Sequence, residues 1–250
     1  MPKQLNLFFV ALAFLTRIPV PSTVDYSQEK LNQASRYFSL VGWLIGLFSV
    51  LVFVITTFFL PQSSAVILSM LFTVLLTGCF HEDGLADTCD GFGGGWKAEQ
   101  KLLIMKDSRL GTYGASGLWF VLTIKFSLLS NMNNVPLALL IAHPLSRCIS
   151  TVMIFLLPYV SETDTSKVKP FAEAHKKNDL LINLLFGASA LLLITSKAMI
   201  IIVALLITII LLRLLFLKQI KGCTGDTLGA TQQISEIVIY IMLLTTELSL

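Results

Sequence analysis

Apolar residues run in long blocks along this chain, and polar residues gather between the blocks. A helix needs about 20 apolar residues to cross the hydrocarbon core of a bilayer. Seven blocks approach that length: Tyr37–Leu60, Ser64–Phe80, Thr112–Ser130, Val135–Leu157, Leu180–Ser196, Ala198–Leu217 and Gln233–Leu248. Turn-forming residues punctuate them at Pro61, at Asn131, Asn133 and Asn134, and at Pro158. A shorter apolar segment, MPKQLNLFFVALAFLTRIPVP, precedes them. Its lysine, short apolar core and Ala11-Leu12-Ala13 have the outline of a signal peptide. Apolar residues and Arg17 continue past that point without a clean mature start, so residues 5–20 read as an uncleaved interfacial or half-inserted helix. The pattern predicts an all-α, polytopic membrane helical bundle of about seven transmembrane helices. No linker or low-complexity stretch divides residues 1–250, which form a single integral-membrane domain.

Composition agrees. Hydrophobic residues make up 55% of the chain and charged residues 13%, with a mean hydropathy of +0.80. An average soluble domain is about 25% charged. One water-soluble core does not hide this much apolar surface. The net charge of +3 supplies no basic stripe of the kind a nucleic acid requires. The cysteines Cys79, Cys89, Cys148 and Cys223 lie far apart without paired spacing and read as small buried hydrophobes.

The distribution of charge sets an expected orientation. With seven spans, fifteen Lys and Arg residues fall on one side and only Lys197 on the other. The positive side faces the cytoplasm. This predicts a cytoplasmic N-terminus and an external C-terminus. The long polar segments 81–111, 158–179 and 218–231 then all lie on the cytoplasmic side, where an active site would open. Lys125 and Arg147 fall inside spans; Lys125 is expected to snorkel outward, without a functional role.

The chemistry concentrates in HEDGLADTCDGFGGGW, residues 81–96. Read as a helical continuation of the second span, at about 100° per residue, it sets Asp83, Asp87 and Asp90 within an arc of about 60°. Like charges on one face repel, so a cation is expected among them. Carboxylate oxygens suit Mg²⁺, which pairs one or two carboxylates with substrate phosphates. Glu82 points about 100° away and is expected to hydrogen-bond a neighbour or the substrate. Gly91, Gly93 and Gly94 offer backbone close approach to an anion. Lys106, Asp107 and Arg109 follow, with Arg109 suited to bidentate phosphate contact. Thr224, Gly225 and Asp226 lie just after a span; Asp226 is a further metal ligand or base, or else part of a turn. Arg147, at membrane depth, reads as a partner for phosphate or carboxylate. His143, four residues earlier, reads as a satisfied core histidine.

HEDGLADTCDGFGGG, MKDSRLGTYG and KGCTGDTLGA, in this order, together with TRIPVP near the N-terminus, resemble the cobalamin synthase family, the adenosylcobinamide-GDP ribazoletransferases. The resemblance covers nearly the whole chain. Cys89, where the family often has Ala, and Lys221-Gly222-Cys223 are the departures, and neither removes a carboxylate. The resemblance implies a Mg²⁺-dependent phosphotransferase acting late in vitamin B12 biosynthesis. Adenosylcobinamide-GDP and α-ribazole, or its 5′-phosphate, would yield adenosylcobalamin, or its 5′-phosphate, and GMP. Asp83, Asp87 and Asp90 would hold the metal, with Asp87 or Asp90 as an alternative general base. Arg109 and Arg147 would clamp phosphate oxygens. The lipid bilayer is the expected surrounding, and self-association or contact with other cobalamin-assembly enzymes is compatible with this reading. The rivals are a CDP-alcohol-type membrane phosphotransferase and, further off, a transporter. A transporter is disfavoured because no Asp or Glu falls mid-span, Glu236 sitting near a span end.

Overall fold

The computed structural model describes residues 1–160, 177–194 and 198–248. Most of the predicted polar segment 158–179, and the end of the span at Ser196, lie outside the described residues. The described chain is helical, with one isolated parallel bridge between Tyr159 and Cys223.

Helix α1 (Lys3–Leu15) is followed by α2 (Gln28–Ala34), a 3-10 turn at Ser35–Tyr37, α3 (Phe38–Thr57), α4 (Gln62–Thr77), α5 (Phe80–Gly94) and α6 (Ala98–Met105). Then come α7 (Thr112–Ser130), α8 (Val135–Leu156), α9 (Lys177–Ala188) with a 3-10 extension at Ser189–Ile194, α10 (Ala198–Ile220) and α11 (Gly225–Leu248). Each of the seven predicted spans falls on a helix. Five segments qualify as spans by length and composition: Gln28–Thr57, Val135–Leu156, Lys177–Ile194, Ala198–Ile220 and Gly225–Glu247. Helices α4 and α5 qualify only together, as a pair bent by 87°. The lipid-facing surface is evident on α10, where Met199, Ile200, Val203, Leu206, Ile210 and Leu214 are all exposed. An apolar face of that extent is what a bilayer covers. Thirteen residues of α1 rise only about 20 Å, short of a bilayer core. Its Val10, Ala11, Leu12 and Leu15 pack with Leu31, Phe38 and Val41.

Close helix contacts rest on small residues, as membrane packing favours. Gly42 and Gly46 of α3 meet the backbone of α8; a Cβ on Gly42 would stand 2.6 Å from the His143 carbonyl oxygen. The core between them contains Leu139, Ala142 and Leu145 of α8 and Ile239 and Tyr240 of α11. Gln232 of α11 donates to Ser146 Oγ of α8 at 3.1 Å. The Tyr159–Cys223 bridge ties the chain after α8 to the start of α11, with Val160 N to Cys223 O at 2.9 Å and Cys223 N to Pro158 O at 2.9 Å.

Two sequence expectations change here. The acidic stretch does not continue the second span. Gly78 (φ 66°) and Cys79 (φ 60°) both take the left-handed conformation, which ends α4 and starts α5 in a new direction. Arg17 covers this corner: its backbone N–H donates to Leu76 O at 2.7 Å and its side chain lies over Gly78. The last helix begins at Gly225 rather than Gln233. Glu236 is therefore near the middle of α11 and 5% exposed, not near a span end.

Candidate functional site

Helix α5 carries the acidic residues and is gripped on two sides. Its first turn holds Glu82 and Asp83, where the helix dipole favours negative charge. Gly84 and Gly229 let α5 lie against the start of α11: a Cβ on Gly84 would stand 2.9 Å from Asp226 Cα, and one on Gly229 would stand 3.2 Å from His81 O. On the other side Gly114 and Gly117 bring α7 against Ala86 and Cys89. Thr224 caps α11, its hydroxyl accepting from Thr227 N and donating to Asp226 Oδ2, each at 3.3 Å.

This packing regroups the predicted ligands. Asp83 is exposed and Asp87 half-buried, and Asp226 comes to them from α11. Burial first, and then the charges of Asp226, Asp83 and Asp90, push the Asp87 carboxyl up to about 7. The neighbouring charges that raise it are all carboxylates. Asp90 is turned aside. Its Oδ2 accepts from Gly111 N at 2.7 Å and its Oδ1 from Gly114 N at 2.8 Å, so it satisfies the first turn of α7. Among the described residues, no three His, Cys, Asp or Glu side chains stand close enough to enclose a metal ion.

The other predicted residues fall into four places. Lys106, Thr224, Gly225 and Asp226 line one cavity of about 160 Å³, with Tyr159 and Val160 on its wall. Arg109 and Asp107 instead bind each other at the surface, with Arg109 Nε 3.0 Å from both Asp107 oxygens. Those hydrogen bonds hold the Asp107 carboxyl below its ordinary value. The glycine run lies within or against α5 as a packing surface: Gly91 faces Met105, Gly93 the Tyr113 ring, Gly94 Ile104 and Gly95 Lys101. Close approach of neighbouring helices and side chains is what these glycines allow here.

Glu82 and Arg147 enter a buried polar cluster inside the bundle. Glu82 Oε1 accepts from Gln233 Nε2 at 3.0 Å. Gln233 Oε1 accepts from Lys125 Nζ at 2.6 Å, and Lys125 pairs with Glu236 Oε1 at 3.3 Å. Glu236 also accepts from Gln232 at 2.6 Å and Tyr240 at 3.0 Å. Lys125 is thus a buried ion-pair partner and does not snorkel. Glu236, mid-helix in α11, and Gln233 hold its ammonium inside the bundle. Among the described residues, Arg147 Nη1 donates to His143 O at 3.0 Å and its Nε has no hydrogen-bond partner. His143 is buried as expected, yet neither ring nitrogen has a hydrogen bond. The sequence singled out Glu82, Lys125, His143 and Arg147 separately and missed Gln232 and Gln233. Glu236 lies four residues after Gln232 and three after Gln233, a spacing that a helix starting at Gly225 would have exposed to view.

A model of the family "Cobalamin-5-phosphate synthase" matches residues 7–244. The chain belongs to the cobalamin-5-phosphate synthase family. Relatives named adenosylcobinamide-GDP ribazoletransferase are similar over nearly the whole length. One from Shewanella frigidimarina is 53% identical, covering 99% of this chain and 97% of its own. One from Shewanella pealeana is 50% identical over 99% and 98%, and one from Shewanella piezotolerans 52% over 97% and 96%. No solved structure matches the chain. Family membership removes the transporter reading, although Glu236 does lie mid-span; it is neutralised there by Lys125.

Proposed function

We propose that this chain transfers the adenosylcobinamide phosphate of adenosylcobinamide-GDP to the 3′-hydroxyl of α-ribazole or its 5′-phosphate, releasing GMP, with Mg²⁺ and from the cytoplasmic side of the inner membrane. The observation that carries the reading is the near-full-length similarity to relatives bearing that enzyme name. The distribution of Lys and Arg supports the cytoplasmic orientation.

The donor set fits Mg²⁺ of the sparsely ligated kind. Asp83, Asp87 and Asp226 are hard oxygen donors from two helices, and their mutual repulsion at Asp87 calls for positive charge. Mg²⁺ needs only one or two carboxylates when substrate phosphates and water complete its shell, so a three-residue cage is not required. Asp83, Asp87 and Asp226 would hold the ion; Asp90, with both oxygens bonded to α7, is left out of the set. When bound, Mg²⁺ supplies charge neutralisation on the diphosphate and the departing GMP.

The protein's own residues do the positioning on which phosphoryl transfer depends. Thr224 and the Tyr159–Cys223 bridge hold Asp226 opposite α5. Lys106 lines the same cavity as Asp226 and offers its ammonium to phosphate oxygens. Asp90 fixes the angle between α5 and α7. Of the two carboxylates offered by the sequence as proton acceptor for the attacking hydroxyl, Asp87 is the one not committed to a helix terminus.

The test is direct. Purified protein in detergent or proteoliposomes, given adenosylcobinamide-GDP, α-ribazole and Mg²⁺, releases GMP. Asp87→Asn abolishes release while still inserting. Silence of the unaltered protein beside an active control enzyme rejects the assignment.

A further inference from the structure

Beside the carboxylates lies a second cavity, of about 280 Å³, which the proposed mechanism leaves unused. Among the described residues its apolar wall is built from Phe14 of α1, Phe38 of α3, Phe80 of α5 and Leu228 of α11, and its polar end from His81 and Arg147. We propose that this cavity receives the flat azole base of the acceptor nucleoside, with α1 as its outer wall. The inference rests on α-ribazole being the acceptor.

Size, polarity and position each narrow the occupant. Ligand pockets commonly measure about 300–1,000 Å³. At the lower edge of that range the cavity takes one ring system and excludes a corrin macrocycle. Two of the hydroxyls on its wall are engaged elsewhere, Ser150 donating to Leu228 O at 2.7 Å and Thr151 to Arg147 O at 2.9 Å. The wall is otherwise mainly apolar, so a guanine edge, rich in donors and acceptors, would lose more hydration there than a benzimidazole-type ring. A benzimidazole-type ring asks for little: apolar faces and one partner for its ring nitrogen. The aromatic wall suits a planar guest, with Phe14 stacked on Phe38 at 5.7 Å and edge-on to Phe80 at 5.1 Å. Arg147, 3% exposed, stands at the polar end beside His81.

Position supplies the connection to chemistry. Gly225 and Tyr159 line both this cavity and the one holding Lys106 and Asp226. Among the described residues, a Cβ on Gly225 would meet no atom within 4 Å, which leaves the two cavities open to each other there. A base seated against Phe14 leaves its ribose at Gly225 and its hydroxyls toward Asp226.

Binding to the full chain in detergent tests this without turnover. Titration calorimetry compares the unaltered protein with Phe14→Trp, which fills the cavity, and Phe14→Leu, which keeps an apolar wall. Phe14→Trp is expected to weaken α-ribazole by at least about tenfold and Phe14→Leu by less than about threefold, while adenosylcobinamide-GDP affinity stays within about twofold in both. Equal α-ribazole affinity in Phe14→Trp overturns the inference, as does a parallel loss for adenosylcobinamide-GDP. A lipid acyl chain that remains in the cavity when α-ribazole saturates the protein overturns it too. If the unaltered protein binds α-ribazole in this Phe14-dependent way yet releases no GMP, the proposed function fails and the pocket assignment stands.

Discussion

Replacing Lys125 with Met tests the buried cluster most sharply. Lys125 Nζ bonds Gln233 at 2.6 Å and stands 3.3 Å from Glu236, and both ion-pair partners are about 5% exposed. Met keeps the stem volume, so packing changes little. The loss is electrostatic: Glu236 keeps its bonds from Gln232 and Tyr240 but loses the cation in contact with it. Removing one partner of a buried pair costs about 3–5 kcal/mol. At about 2–4 °C per kcal/mol for a chain of this size, the melting temperature falls by about 10 °C. The assay is thermal unfolding in detergent, read by tryptophan fluorescence; Trp43, bonded to Phe186 O at 3.0 Å, reports on the bundle interior. The double variant Lys125→Met, Glu236→Gln removes both charges and recovers most of the loss. A single variant melting within about 2 °C of the unaltered protein would refute the reasoning. So would a double variant whose loss equals the sum of the two singles, because contacting charges must couple.

The carboxylate group gives two further expectations. In EDTA, the folded chain holds the Asp87 proton up to about pH 7, whereas an unfolded Asp releases it near 4. The folded state therefore loses stability as pH rises between those values. Asp87→Asn should be the more stable protein at pH 8, on the order of 1 kcal/mol after solvent screening, with no such gain at pH 4. Added Mg²⁺ should raise the melting temperature of the unaltered protein at pH 8 but not that of the variant; a pH-independent difference contradicts the argument. Asp90→Ala should cost about 1–2 kcal/mol through loss of the α7 cap, yet keep the Mg²⁺-induced shift in melting temperature. An unchanged melting temperature with a lost Mg²⁺ response would make Asp90 a ligand instead.

Much of this molecule is local in origin. The apolar runs demanded helices in a bilayer, and the helical spacing of Asp83, Asp87 and Asp90 followed from their positions alone. The order of the three motifs pointed to the family. Local pattern did not show that Gly78 and Cys79 would turn the acidic stretch by 87°, because left-handed backbone at a cysteine leaves no periodic trace. Nor did it show which carboxylates would meet. Asp90 joined the others by spacing yet was drawn off by the N–H groups of Gly111 and Gly114. Asp226, far along the chain, was brought in because Gly84 and Gly229 let two helices touch backbone to backbone. Lys125 looked like a snorkelling charge inside its span and Glu236 like a charge near a span end, and the two proved to be one ion pair in the bundle interior. Helical periodicity assigns each residue a direction around its own axis. Which neighbour stands in that direction depends on where small side chains let other helices come close, and only the folded packing decides that.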